Sequence, residues 1–132
     1  NGSQLTGTSN FTWGSSILYV NGAVRATGDV TAYYSSDARL KTKINKIDNA
    51  LDKLLSITGV TYNWNELAEG KDQDVREAGV IAQEVHKVLP EIVIMRENGY
   101  LAVRYEKLTA LIIEAVKELA AEIKELKKNN GA

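Results

Sequence analysis

The residue types with most chemical potential are gathered in one short polar stretch, Tyr33-Tyr34-Ser35-Ser36-Asp37-Ala38-Arg39-Leu40-Lys41. It offers hydroxyls, a carboxylate, a guanidinium and an amine within a few residues. Taken alone, these types are equally suited to structure: Ser36-Asp37 suits a turn or helix cap, and Arg39, Lys41 and Lys43 suit a solvated basic face. Other chemistries have little to work with. The chain contains no cysteine, which excludes disulfides and thiolate metal sites, and a single histidine, His86, which reads as a surface or interface residue. No Gly-rich phosphate loop or His/Asp constellation is present.

Composition sets further bounds. At 132 residues, 44% hydrophobic and 25% charged, the chain has the balance of one ordinary globular domain. A formal net charge of -1 supplies no basic field to attract nucleic acid, and no apolar run approaches the ~18–20 residues of a membrane span. The opening Asn1-Gly2-Ser3, with Met95 the only methionine, leads us to expect a piece of a longer protein.

The polar stretch lies where the character of the chain changes. Residues 1–35 hold one acid, Asp29, and one base, Arg25; the other 16 acids and 15 bases follow. In this first part, Ile17-Leu18-Tyr19-Val20, Ala23-Val24 and Val30-Thr31-Ala32-Tyr33 read as short strands, punctuated by Asn21-Gly22 and Gly28-Asp29. Three short strands with few large apolar residues cannot build a core alone. The reading preferred over a flexible end is the last turns of a β-structured shaft, residues 1–35, that needs partner chains.

A mixed α+β domain is expected over residues 36–132. Ile44, Ile47, Leu51, Leu54 and Leu55 recur at helical spacing, with Asn45 or Asp48 available as caps and Gly59 beyond the end. Val60, Tyr62 and Trp64 alternate with polar residues, as in a half-buried strand. Residues 66–75 suit an extended loop, a hairpin tip or a reaching arm. Ala78-Gly79-Val80-Ile81 reads as a strand, and Gln83 to Leu89 as a short helix stopped by Pro90. Ile92-Val93-Ile94 and Tyr100-Leu101-Ala102-Val103 flank Glu97-Asn98-Gly99, a strong hairpin signal.

A long helix is expected from about Tyr105 to Lys128. Tyr105, Thr109, Ile112, Val116, Leu119, Ile123 and Leu126 follow steps of four and three, about three heptads of a/d positions. Glu122 falls at g and Lys127 at the following e, a spacing that pairs parallel helices. Leu108, Leu111, Ile113 and Ala115 widen the apolar face near the start, which suggests a helix leaving a globular body to join copies of itself. The alternative is one amphipathic helix lying on its own domain. The heptads do not fix strand number; Val116 and Ile123 at a with Leu119 and Leu126 at d lean by themselves towards a dimer.

Five pieces, in order, carry a resemblance: Ser36-Asp37-Ala38-Arg39-Leu40-Lys41; Val60 to Trp64; Gly79-Val80-Ile81-Ala82-Gln83-Glu84-Val85; Leu89-Pro90-Glu91; and Tyr105-Glu106-Lys107-Leu108. Together they resemble the C-terminal intramolecular chaperone domain of phage tailspikes and tail fibres, the S74 peptidase domain, over about residues 36–128. The resemblance implies a homotrimer, with Ile112, Val116, Leu119, Ile123 and Leu126 as its coiled-coil seam. Such a trimer guides folding of the upstream shaft of the same protein and then cuts itself off. Ser36 matches the family's nucleophile and Lys41 its base, and the expected cut is the bond between Ser35 and Ser36, with the bond after Ser36 as the nearby alternative. Asp37, Arg39, Gln83 and Glu84 are candidates for support, with turn formation, exposure or a helix-start role as the plainer readings. No metal or cofactor is expected, and no nucleic-acid or membrane partner. The expected setting is a virion tail fibre or spike precursor made in the host cytoplasm, its chaperone released after assembly. A trimerisation tip that stays attached, or the equivalent domain of membrane-tethered transcription factors related to myelin regulatory factor, would share most of these features.

The implied chemistry sets a physical condition. A serine hydroxyl needs a neighbouring base. A lysine serves only when neutral, and its ordinary pKa is about 10.4. Desolvation can lower that by up to ~3–5 units. Lys41 is therefore expected to lie in a dry pocket when the reaction occurs, one that assembly of three chains would close.

Overall fold

The computed structural model describes residues 11–14, 17–20, 22–32 and 34–131. It divides into two units, residues 1–43 with 64–73, and residues 44–63 with 74–132.

In the first unit, β1 (Phe11–Gly14) and β2 (Ile17–Val20) form an antiparallel hairpin in which Phe11 faces Val20 and Gly14 faces Ile17. The strands expected at Ala23-Val24 and Val30-Thr31-Ala32 do not form, and Val24 and Val30 are each 75% exposed. Such short apolar runs have no large face to bury and, among the described residues, no strand beside them to pair with. Asn21 and Tyr33, parts of those readings, and the opening Asn1-Gly2-Ser3 lie outside the described residues. Residues 66–75 contain neither helix nor strand. Asn65 accepts from Ala68 N through its carbonyl at 3.1 Å and from Leu67 N through its side chain at 3.0 Å. Lys71 Nζ lies 5.1 Å from the centre of the Trp64 ring, a cation–π contact.

The second unit holds the core. Three helices, α1 (Ala50–Leu55), α2 (Ala82–Val88) and α3 (Leu108–Asn130), accompany two antiparallel hairpins. The first pairs β3 (Gly59–Asn63) with β4 (Arg76–Val80), and the second pairs β5 (Val93–Met95) with β6 (Leu101–Val103). Ala50, Val85, Leu89, Ile92, Leu111 and Ala115 are buried together, one from α1, three from α2 and the turn after it, and two from α3. Ile47, Leu51, Leu54, Val80, Val103 and Leu108 pack around them. The expected alternation in β3 holds, with Val60 and Tyr62 half-buried between exposed neighbours. Pro90 ends α2 and opens a 3-10 turn. At the β5–β6 tip, Gly99 has φ +82, a conformation that glycine adopts without strain. There Gly99 N donates to Arg96 O at 2.9 Å and Arg96 N to Tyr100 O at 2.8 Å, closing the expected Asn98-Gly99 turn.

The first helix differs from its expected start. The spacing predicts a helix from Ile44 capped by Asn45 or Asp48; α1 instead begins at Ala50. Lys43 and Asn49 have φ of 51° and 50°, which no right-handed helix can contain, so the chain between them runs irregularly. Asn49 makes no side-chain cap. The carboxylate of Glu118 on α3 caps α1 instead, accepting from Ala50 N at 3.1 Å and Leu51 N at 2.8 Å. A cap from a distant helix satisfies the same orphan N–H groups as a local one.

The last helix carries two distinct faces. Leu111 and Ala115 are buried against the domain, with Glu114 and Glu118 half-buried beside them. Ile112, Val116, Leu119, Ile123 and Leu126 are 44–60% exposed. The heptad stripe is thus not the face that packs on the helix's own domain, and every described residue after Glu118 is exposed.

Candidate functional site around Ser36 and Lys41

The segment from Ser36 to Lys41 is a self-contained turn. Asp37, extended at φ −62 and ψ 136, caps a 3-10 turn over Ala38–Leu40. Leu40 N donates to Asp37 O and Lys41 N to Ala38 O, each at 3.1 Å. The Asp37 carboxylate anchors the turn from its start. Its Oδ1 accepts from Arg39 N at 2.8 Å and Arg39 Nε at 3.1 Å, and its Oδ2 accepts from an Arg39 terminal nitrogen at 2.9 Å. This two-pronged grip is the strong form of the carboxylate–guanidinium pair.

One tight turn brings the ends of the segment together. Lys41 Nζ lies 3.1 Å from Ser36 Oγ and donates to the Ser36 carbonyl oxygen at 2.8 Å. A general base must come within about 2.6–3.2 Å of the proton it takes, and this approach satisfies that range. Ser35, Ser36 and Lys41 are all exposed in the single chain. The Asp37 carboxyl is held below its usual range by the Arg39 side chain first and the Arg39 backbone N–H second, with a smaller push from the charge of Lys41. Arg39 is correspondingly raised by its bond to Asp37.

Gln83 and Glu84 sit in the first turn of α2, in the second unit. Gln83 and His86 are exposed. Glu84 ties α2 to the start of β3: its carboxylate accepts from Thr58 N at 2.7 Å. Among the described residues no group of His, Asp and Glu is placed to hold a metal ion, and no helix is long and apolar enough to cross a membrane.

Two arrangements give the remaining motif residues a role that their sequence does not announce. Tyr105, in the 3-10 turn before α3, accepts from Val80 N at 3.0 Å through its phenolic oxygen. A side chain on Gly79 would start 2.5 Å from that oxygen. The Gly79-to-Val85 and Tyr105-to-Leu108 motifs are therefore parts of one contact, and Val85 and Leu108 join the same core. The tyrosine hydroxyl and the adjacent glycine were visible as motif members, but nothing in their spacing paired them.

The family model Peptidase_S74, described as chaperone of endosialidase, matches residues 36–94. Through that region the chain belongs to the chaperone-of-endosialidase family. Similar curated proteins are the long tail fiber proteins Gp37 of several phages. That of Enterobacteria phage K3 is 43% identical over 98 residues, 71% of this chain and 8% of the relative. That of Enterobacteria phage M1 is 38% identical over 101 residues, 72% of this chain and 39% of the relative. That of Salmonella phage S16 is 35% identical over 135 residues, 96% of this chain and 17% of the relative. The chain thus spans well under half the length of each of these relatives.

Proposed function

We propose that this chain is the intramolecular chaperone of a phage tail fibre or spike: it trimerises through α3, directs folding of the fibre shaft to which it is joined, and releases itself by autoproteolysis at Ser36. The observation that carries the cut is the 3.1 Å approach of Lys41 Nζ to Ser36 Oγ within the family-matched segment. In this mechanism neutral Lys41 takes the hydroxyl proton, and Oγ attacks the carbonyl carbon of Ser35. The bond from that carbon to the Ser36 nitrogen breaks, and the nitrogen leaves as an amine after taking up the proton. Water then hydrolyses the Ser35–Ser36 ester, restoring the serine hydroxyl and leaving a carboxylate on Ser35.

The exposed position of Lys41 supports a conditional reaction. A hydrated amine stays protonated at neutral pH, so the dyad needs cover that the single chain does not give it. The uncovered stripe Ile112, Val116, Leu119, Ile123 and Leu126 supports a trimer as the source of that cover. Slow, non-local folding of a β-structured shaft benefits from three chains held in register. Removal of the template afterwards makes assembly one-way, because the finished shaft is then protected by its unfolding barrier. The fibre setting follows from the long tail fiber proteins to which the chain is similar.

Mass spectrometry of freshly expressed protein tests the cut. A fragment beginning at Ser36 is expected, with Ser36→Ala and Lys41→Ala remaining full length. Only full-length wild-type chain would instead select a trimerisation tip that stays attached, a reading favoured by the exposure of both dyad residues.

A further inference from the structure

We infer that Asp37 and Arg39 act as a charge-neutral clasp for the dyad, in which Asp37 builds the turn that brings Lys41 to Ser36 and Arg39 cancels the carboxylate that would otherwise hold Lys41 protonated. The inference rests on the proposed cut and names the positioning residues of that site.

The geometry sets two opposing demands on one residue. The turn over Ala38–Leu40 needs an acceptor at its cap, and Asp37 Oδ1 provides it at 2.8 Å from Arg39 N. Asp and Asn are among the strongest caps available. A carboxylate so close in sequence to the general base is nevertheless a disadvantage. Opposite charge nearby favours the ammonium form of a lysine, and a lysine base must be neutral. The charge of Lys41 contributes to holding the Asp37 carboxyl down.

Arg39 reconciles the two demands. Its Nε and a terminal nitrogen reach both carboxylate oxygens, at 3.1 and 2.9 Å, while its backbone N–H is the group being capped. One residue thus receives the cap and neutralises the capping group. The side chain is 89% exposed, so the pair adds little stability as a surface ion pair. Its charge matters more to the neighbouring amine, and matters most once assembly lowers the local dielectric. The charged groups of the segment are Asp37, Arg39, Lys41 and Lys43, and Asp37 is the one acid among them.

The test is the pH profile of self-cleavage in the full chain, compared among Arg39→Gln, Asp37→Asn, the double variant and Asp37→Ala. Arg39→Gln exposes the carboxylate, so its rising limb should move to higher pH by about half a unit or more, roughly a threefold loss of rate at fixed pH. Asp37→Asn keeps an acceptor for the cap and removes the charge, so its limb should move to lower pH. The double variant should return the midpoint towards that of wild type. Asp37→Ala loses the cap and should slow cleavage at every pH. In parallel, the Lys41 amine is titrated by NMR in the Ser36→Ala chain, where no cut can occur. Arg39→Gln should raise its pKa there and Asp37→Asn should lower it. Wild-type cleavage with coincident profiles for the single variants would overturn the clasp alone. Absence of wild-type cleavage would overturn the proposed cut, and the NMR titration would still decide the clasp.

Discussion

The phenolic oxygen of Tyr105 occupies the space that a side chain on Gly79 would need, with 2.5 Å between that oxygen and an ideal Cβ. The same oxygen accepts the backbone N–H of Val80 at 3.0 Å. The start of α3 is thereby pinned to the end of β4.

This contact makes Gly79 sensitive and Tyr105 its cause. Gly79→Ala should destabilise the domain by about 1–3 kcal/mol through overpacking. Tyr105→Phe should cost about 0.5–1.5 kcal/mol through the lost hydrogen bond. The double variant should fall short of the sum, because without the hydroxyl the nearest atom to the new methyl is Tyr62 Cε1 at 3.4 Å. Urea denaturation of the four proteins measures the coupling; strict additivity would show that the contact does not exist.

The two faces of α3 should respond differently to truncation. Leu111 is completely buried, so Leu111→Ala should cost about 2–5 kcal/mol and lower the melting temperature by several degrees per kcal/mol. Leu126 is 60% exposed, and Leu126→Ala should change the stability of the lone domain by less than about 0.5 kcal/mol. Thermal melts at low protein concentration separate the two.

Replacing Ile112, Leu119 and Leu126 together by Asp should leave the chain monomeric, as read by sedimentation velocity, because these positions lie on the uncovered stripe. Self-cleavage should disappear with the oligomer. A monomer that still cut itself at the wild-type rate would break the proposed link between assembly and chemistry.

Acid should weaken the hold of α3 on α1. The Glu118 carboxyl is lowered chiefly by the N–H groups of Leu51 and Ala50, with a smaller contribution from Lys46 and an opposing one from Glu114. A carboxyl depressed in the folded state contributes stability that is fully present above its unfolded pKa of about 4.3. That contribution is lost as pH falls through the lower folded value. Wild-type stability should therefore decline through this acid range, and Glu118→Gln, less stable at neutral pH, should show a flatter decline. Chemical denaturation at a series of pH values reads this out; parallel curves would exclude the role.

What could be read from sequence divides by range. The Asn98-Gly99 turn, the Pro90 stop, the alternation through Val60 and Tyr62 and the separate stripe on α3 were legible because each is encoded by neighbours along the chain. The start of α1 was not, because its cap is Glu118, 68 residues from Ala50, and because the apolar spacing runs straight through Asn49, whose φ forbids a helix. The strands expected at Ala23-Val24 and Val30 were over-read, since propensity cannot supply a pairing partner. At the site, the family motif named Ser36 and Lys41, but spacing alone could not foresee that a single 3-10 turn would bring them within 3.1 Å. That Asp37 would both cap the turn and hold Arg39 was equally undecided, since an i, i+2 spacing does not choose between the two.

Every described residue of α3 beyond Glu118 is exposed. A helical stretch of about a dozen residues is marginal in water by itself, so partner helices of the proposed assembly would add to its order. The helix content of this protein should accordingly depend on its concentration. Under the assembly proposed through α3, the amide hydrogens at its end should exchange quickly in a dilute sample and slowly in a concentrated one. On that proposal the same few turns would work as a counter of neighbours.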